Sequence, residues 1–306
     1  MGHGDEEAGP HHRPGRAHES RQPLGEVDHG AQDTAAPGGS VSTDAGSAGV
    51  RGRWSGTDDS GGHERPAPPA RAPGRSRPTG GGRSYAAIIP MIRAEAPDLV
   101  ICVTTSGRTF SEFERRADVL ELAGAGAAKP DMASLTLGSL NFRDAASVNS
   151  PEMIERLAAR MREQGIKPEL EVFASGMAYL AHGLVDRGLL EPPLCANVLL
   201  GGPNTAPARA GDLAALTGAL PAATVWVGAG IGAFQLAVNG LAIFMGGHVR
   251  TGLEDNPHFD QARRTPATNA ALVERVVALG AAAGRRAATP AEVRAMLGLA
   301  RTGVLL

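Results

Sequence analysis

The chain has 306 residues, a formal net charge of −2, 42% hydrophobic residues and two cysteines. That length suits one large domain or two small ones. The near-neutral charge supplies no general attraction to nucleic acid, and no run is long and apolar enough to span a bilayer; neither is an expected partner.

Apolar residues are unevenly spread. Residues 2–84 hold only Leu24, Val27, Val41, Val50 and Trp54 as large aliphatic or aromatic side chains, six of the nine histidines, and abundant Gly, Pro, Ser and Arg. Such a stretch cannot bury enough apolar surface to offset the entropy of ordering its backbone. Residues 1–76 therefore read as a disordered, low-complexity segment, and 77–306 as the folded domain. The segment has no apolar h-region, which argues against a secretory signal. Cys102 and Cys195 sit in apolar strand-like runs and read as buried free thiols, fitting a reducing cytoplasm. Lys occurs only at 129 and 167 while Arg is frequent, which with abundant Ala, Gly and Pro points to a GC-rich coding sequence.

From Tyr85 onward, short apolar runs alternate with longer amphipathic segments. A helix over 85–95 is followed by a strand over 99–103 and a helix over 111–123. The next pairs are a strand at 132–137 with a helix at 151–164, and a strand at 170–173 with a helix at 177–187. A strand at 195–200 precedes a helix near 211–218, and a strand at 224–227 precedes a helix after Gly232. A sixth strand, 247–250, leads to a helix over 267–283. A last short helix starts at Thr289-Pro290, with Thr289 as N-cap. Strand and helix alternating about every thirty residues means parallel strands with helical crossovers. Polar and glycine-rich residues cluster after successive strands, which favours a (β/α)8 TIM-type barrel over an open doubly wound α/β sheet. Six strands are found where eight are needed; the first two fall before Tyr85, where the sequence does not supply them.

The strongest local constellation is Gly246-Gly247-His248-Val249-Arg250-Thr251-Gly252-Leu253-Glu254-Asp255-Asn256. It places a cation and two adjacent carboxylates at a strand's C-terminal end. Adjacent carboxylates repel unless a metal or cation is close, so one acid would take a metal and the other would pair with Arg250. A solvated turn is the equal alternative for a bare Glu-Asp pair; the flanking glycines, which permit close approach to a ligand, favour function. Glu171, inside an apolar strand, needs a partner and reads as a satisfied structural acid or a substrate contact. Thr104, Thr105, Ser106, Ser134 and Thr136 offer hydroxyls at strand ends, as caps or contacts. The run from Gly228 to Gly232 reads as an anion-binding loop or as tight strand-to-helix packing. His182, His248 and His258 lack ligand spacing and read as structural. Lys129 and Lys167 lie at the N-terminal side of their strands, the wrong face for a Schiff-base lysine.

Together these residues resemble the beta-keto acid cleavage enzymes, typified by 3-keto-5-aminohexanoate cleavage enzyme, over about residues 77–299. The carrying motifs are Val103-Thr104-Thr105, Pro130 to Leu135, Gly138 to Phe142, Pro168 to Val172 and the block from Gly246 to Asn256. The resemblance implies a (β/α)8 barrel, a homotetramer, one divalent metal (typically zinc) and acyl exchange. In that exchange a beta-keto acid and acetyl-CoA give acetoacetate and a new acyl-CoA, with an enolate attacking the thioester. Carried over by residue, it makes Glu254 a metal ligand, Asp255 the base, Arg250 its partner, and Glu171, Ser134 and Thr104 substrate contacts. Ala174 stands where an acid is common, which implies a different acyl substrate.

The family's other two metal ligands form a His-Leu-His pair, and this sequence contains no His-x-His. Three protein ligands are usual for catalytic zinc, so the chain as written is expected to bind metal poorly and to be inactive. Pro68-Pro69-Ala70-Arg71, encoded as CCA CCT GCA CGC, would give His-Leu-His read one base later, so a frameshift would account for the missing strands. The alternative is a non-catalytic, degenerate barrel carrying a disordered interaction tail.

Overall fold

A computed structural model describes residues 81–300, apart from 125, 143 and 144. The chain divides into two units, Met1–Pro69 and Ala70–Leu306, and every described residue lies in the second. The low-complexity reading of 1–76, the Pro68–Arg71 motif and Arg77-Pro78 all lie outside the described residues. No described helix is long and apolar enough to cross a membrane.

The elements follow the expected alternation. Helix α1 (Gly81–Glu95) precedes β1 (Cys102–Val103), α2 (Phe113–Ala117), β2 (Met132–Thr136) and a hairpin of β3 (Leu140–Asn141) and β4 (Ala146–Ser147). Then come α3 (Pro151–Glu163), β5 (Lys167–Val172), α4 (Ser175–Asp186), β6 (Leu194–Leu200) and α5 (Ala210–Gly218). The chain continues through β7 (Thr224–Gly230), α6 (Gln235–Phe244), β8 (His248–Val249), α7 (Asn269–Ala282) and α8 (Pro290–Leu297). Local chemistry fixes several ends. Ser150 Oγ accepts from the Met153 N–H ahead of Pro151. Thr289 and Glu292 form a reciprocal capping box on α8, which ends at Gly298 in the left-handed region.

Six strands pair in parallel in the order β1-β2-β5-β6-β7-β8, while β3 and β4 form a separate antiparallel ribbon. Each new strand joins the same growing edge, with no reversal of direction, so the sheet is a curled half-barrel and not a doubly wound sheet. Register assigns the two faces. Ala133, Leu135, Leu170, Val172, Ala196 and Val198 are all fully buried toward the helices. The alternate residues face the concave side, where Thr136, Glu171, Asn197, Val227 and His248 stand in one row and Ser134, Glu169, Cys195 and Val225 in the row beneath. Each fully buried Leu or Val on the outer face contributes roughly 1.5–3 kcal/mol, and this layer holds the polar inner face in place.

Three local expectations change. The first strand is two residues, not five. The Leu99 carbonyl accepts from Arg93 and Arg294, and the Ile101 N–H donates to Asp131 Oδ2 at 2.8 Å, so side chains occupy the ladder positions. The helix expected over 111–123 breaks at Asp118 into a tighter 3₁₀ turn, where Asp118 accepts the Gly82 N–H at 3.2 Å. Cys102 is exposed on the concave side, whereas Cys195 is buried and its thiol is pushed up to about 12, mainly by that burial.

Candidate active site

The six residues singled out in sequence converge. Thr104, Ser134, Glu171, Arg250, Glu254 and Asp255 all line one cavity of about 450 Å³ at the C-terminal ends of the strands. They come from four strand ends and the loop after β8, the arrangement expected of a barrel active site.

Arg250 is its hub. Its Nε donates to Asp255 Oδ2 at 2.8 Å and its Nη2 to Asp255 Oδ1 at 2.9 Å, a bidentate pair. The same Nη2 donates to Glu254 Oε2 at 3.0 Å. The other Glu254 oxygen, Oε1, lies 3.4 Å from Arg108 Nη2, and the Arg108 guanidinium rests over the Phe142 ring. Asp255 is buried, with 5% of its side chain exposed, while Glu254 is 68% exposed. Burial alone would pull the Arg250 guanidinium down; its hydrogen bonds to Asp255 and the charges of Asp255, Glu254 and Glu169 outweigh it and hold Arg250 above its ordinary range.

Backbone anchors explain why this block sits where it does. Arg250 N–H donates to the Gly228 carbonyl at 3.1 Å, and Gly232 N–H donates to the Asp255 carbonyl at 2.8 Å. Gly232 has φ 61°, a conformation glycine adopts freely. A Cβ on Gly230 would lie 2.4 Å from the Phe234 carbonyl, and one on Gly228 2.7 Å from Ala242. Of the two readings of this glycine run, tight strand-to-helix packing is the one found, and Gly232 spends its amide on Asp255.

On β5, Glu171 accepts a hydrogen bond from Thr136 Oγ1. Burial pushes the Glu171 carboxyl above the usual range, opposed by that hydrogen bond and by Arg250. Glu169, two residues earlier on the same face, is also pushed up, first by burial and then by the charge of Glu171. Ser134 Oγ lies 3.4 Å from Thr104 Oγ1 and receives the Thr105 N–H at 3.3 Å, which joins the two hydroxyl-bearing strand ends. Thr105 is buried and its hydroxyl donates to the Ser134 carbonyl at 2.6 Å, so it braces the site.

The three described histidines and the two lysines stay out of the cavity. None of His182, His248, His258, Lys129 or Lys167 lines the cavity. His182 Nε2 lies 3.0 Å from the Ala219 carbonyl, and Lys167 Nζ is 3.4 Å from the Glu191 carbonyl.

Sequence reasoning missed Tyr85, Cys102, Arg108, Phe142 and Glu169 on the cavity wall. It also missed two fully buried polar residues of α6. Gln235 Nε2 donates to the Gly252 carbonyl at 3.0 Å, and Asn239 Nδ2 to the Arg250 carbonyl at 2.9 Å. Two amides four residues apart on an otherwise apolar helix are a legible signal, since buried polar groups must be hydrogen-bonded.

The donor set of the described residues does not fit the zinc that the resemblance implies. Among the described residues no group of three His, Cys, Asp or Glu side chains could hold a metal ion. Glu254 is mostly exposed at the cavity wall, and both its oxygens face guanidinium groups.

Comparison with known proteins places the chain in a family and a fold. A family profile described as beta-keto acid cleavage enzyme matches residues 70–299. The chain is 39% identical over 219 residues to the 3-oxoadipate:acetyl-CoA acetyltransferase of Cupriavidus necator, covering 70% of this chain and 74% of that protein. It is 36% identical over 223 residues to the 3-keto-5-aminohexanoate cleavage enzyme of Fusobacterium nucleatum, covering 72% and 79%. ObcA in binary complex with oxaloacetate shares the fold, with a TM-score of 0.60 at 19% identity, covering 71% of this chain and 56% of that one. The chain thus spans about half the length of the solved structures it matches. The chain belongs to the beta-keto acid cleavage enzyme family.

Proposed function

We propose that the cavity binds a beta-keto acid and exchanges its acyl group with acetyl-CoA. The observation that carries this reading is the Arg250–Asp255 pair, buried at a strand end and facing Glu171 across one cavity. A beta-keto acid is acidic at the carbon between its two carbonyl groups. Asp255 takes that proton, and Arg250 fixes both Asp255 oxygens so that the base is oriented. The Arg250 and Arg108 guanidinium groups bring positive charge to the region where enolate charge develops. Glu171, Ser134 and Thr104 hold the substrate's polar groups. The enolate carbon forms a bond to the acetyl carbonyl and expels the CoA thiolate. The thiolate then attacks the former keto carbon, and the bond to the central carbon breaks. That releases the new acyl-CoA, and the acetoacetate enolate regains its proton from Asp255.

A divalent metal would polarise the keto and carboxylate oxygens, but the described residues supply a single candidate ligand, Glu254, and no step is assigned to it. With no His-x-His in the sequence, this chain is proposed to retain far less than one zinc per chain and to exchange slowly. We place the protein in a reducing cytoplasm on its two free cysteines, and as a homotetramer on the family resemblance.

The test uses the purified full-length chain. Beta-keto acids are incubated in D2O, and deuterium entry at the central carbon is followed by NMR. Acetoacetate formation from acetyl-CoA is measured in parallel, with zinc by elemental analysis. Deuterium entry and slow acetoacetate formation with at least one keto acid are expected, with zinc well below stoichiometric. Neither reaction with any keto acid would leave a non-catalytic barrel. Full zinc occupancy would overturn the metal-poor assignment.

A further inference from the structure

A second cavity, of about 670 Å³, adjoins the first at the strand C-terminal face. It lies between α1, the loop after β1 and α2, and shares Tyr85, Thr104, Ser106, Arg108 and Phe142 with the catalytic cavity. Its size falls within the roughly 300–1,000 Å³ of small-molecule sites. Tyr85, Ile88, Phe110 and Phe142 give it apolar and aromatic walls.

Its three arginines do different jobs. Arg116 is buried and committed: it donates to the Thr105 carbonyl at 2.8 Å, the Val148 carbonyl at 3.2 Å and Asn149 Oδ1 at 2.6 Å. Arg108 stands at the junction of the cavities, its guanidinium between Phe142 and Glu254. Arg115 is exposed on the outer side, stacked 3.6 Å above the Phe110 ring, with no hydrogen bond or ion pair to a described residue. One carboxylate, Asp118, faces this cavity, and it accepts the Gly82 N–H. The result is a passage with an apolar middle and a held cation at its outer end, leading to the Arg250–Asp255 pair.

We propose that this cavity is the acyl-CoA channel, with Arg115 binding a CoA phosphate. The proposal rests on the acyl-exchange reading and assigns its second substrate a place. CoA carries phosphates on an adenosine at one end and a thioester at the other, joined by the long pantetheine arm. The cavity matches that order: Arg115 and the Phe110 ring meet phosphate and nucleotide, the apolar walls take the arm, and the shared residues admit the thioester to the catalytic cavity. Arg115 suits this role because a guanidinium fixed on an aromatic face still presents its edge to a phosphate.

The test is calorimetric binding to the full-length chain, with CoA and with pantetheine, which lacks phosphates. Arg115→Glu is expected to weaken CoA binding at least about tenfold and to leave pantetheine binding unchanged. Arg115→Lys should recover part of the CoA affinity, and added salt should weaken CoA but not pantetheine. Equal CoA affinity in wild type and Arg115→Glu overturns the proposal. So does equal loss of CoA and pantetheine binding, which would mark a damaged fold. The two readings fail separately. CoA binding that depends on Arg115 without any acyl exchange would sink the exchange reading alone. Exchange with an unchanged KM for acetyl-CoA in Arg115→Glu would sink the channel alone.

Discussion

Two arginine–aspartate clusters sit at opposite ends of the same sheet and are built from the same chemistry. At the N-terminal end, Asp131 accepts from Arg93 Nη2 at 2.7 Å, from Arg294 Nη1 at 2.8 Å and from the Ile101 N–H at 2.8 Å. At the C-terminal end, Arg250 holds Asp255 bidentately and reaches Glu254. The Asp131 cluster is closed: its three side chains are between 5% and 10% exposed, and Arg294 also ties the Asp98, Leu99 and Ala300 carbonyls. The two hydrogen-bonded arginines and the Ile101 N–H hold the Asp131 carboxyl below its usual range, against the opposing effect of burial. The Arg250 cluster is open: it lines a cavity, and one of its acids is mostly in solvent. An ion pair closed off from solvent braces the barrel floor, while one with an open face is available to a substrate.

That contrast predicts opposite mutant phenotypes. The largest effect belongs to Asp255→Asn. It keeps the shape and removes the base, so deuterium entry at the keto acid's central carbon should fall about 10²–10⁴-fold, with the unfolding midpoint shifted little. Asp131→Ala should do the reverse. Two buried guanidinium groups would lose their counter-charge, at a cost of about 3–5 kcal/mol in denaturant unfolding, while molecules that remain folded retain proton exchange. If Asp255→Asn proved as destabilising as Asp131→Ala and exchange survived, the two ends would be structural alike. A smaller effect is expected at the support of the open cluster. Asn239→Ala would leave the Arg250 carbonyl without its amide donor at about 1–3 kcal/mol, and exchange should slow while the carbon-acid chemistry persists.

Much of this was legible in the sequence, for reasons that particular residues make plain. The apolar runs at 132–137, 170–173 and 195–200 carry their own strand signal, because a parallel strand buried among helices is a short, nearly continuous hydrophobic stretch. Arg250, Glu254 and Asp255 were legible because charges beside glycines at a strand end have no core role. Glu169 was passed over because alternation along one strand does not reveal how many carboxylates the concave face tolerates. Arg108 and Tyr85 were invisible: they reach the cavity from a loop and a helix whose approach depends on tertiary packing. The hairpin of β3 and β4, two residues a side, is too short to show a period. Cys102 was misread because an apolar run predicts burial for both faces of its strand, whereas here one face looks into the cavity.

The smallest and sharpest prediction concerns Glu169 and Glu171, the two acids that share one face of β5. Both carboxyls are pushed up by burial; the charge of Glu171 adds to the rise at Glu169, and the charge of Glu254 adds to the rise at Glu171. A carboxyl raised in the folded state binds its proton more tightly there than in the unfolded chain. Between the ordinary glutamate value near 4.5 and the raised folded value, the folded state therefore carries more protons, and stability falls as pH rises. This is opposite in sign to Asp131, whose lowered carboxyl contributes stability above its unfolded value and loses it as pH falls. Glu169→Gln removes one titrating carboxyl from the open end while leaving the closed end intact. Thermal unfolding followed from about pH 4.5 upward should show the variant gaining on the wild type as pH rises, then running parallel above the folded value. A pH-independent offset would mean that Glu169 stays charged throughout, held by the positive field of Arg250 and not by burial.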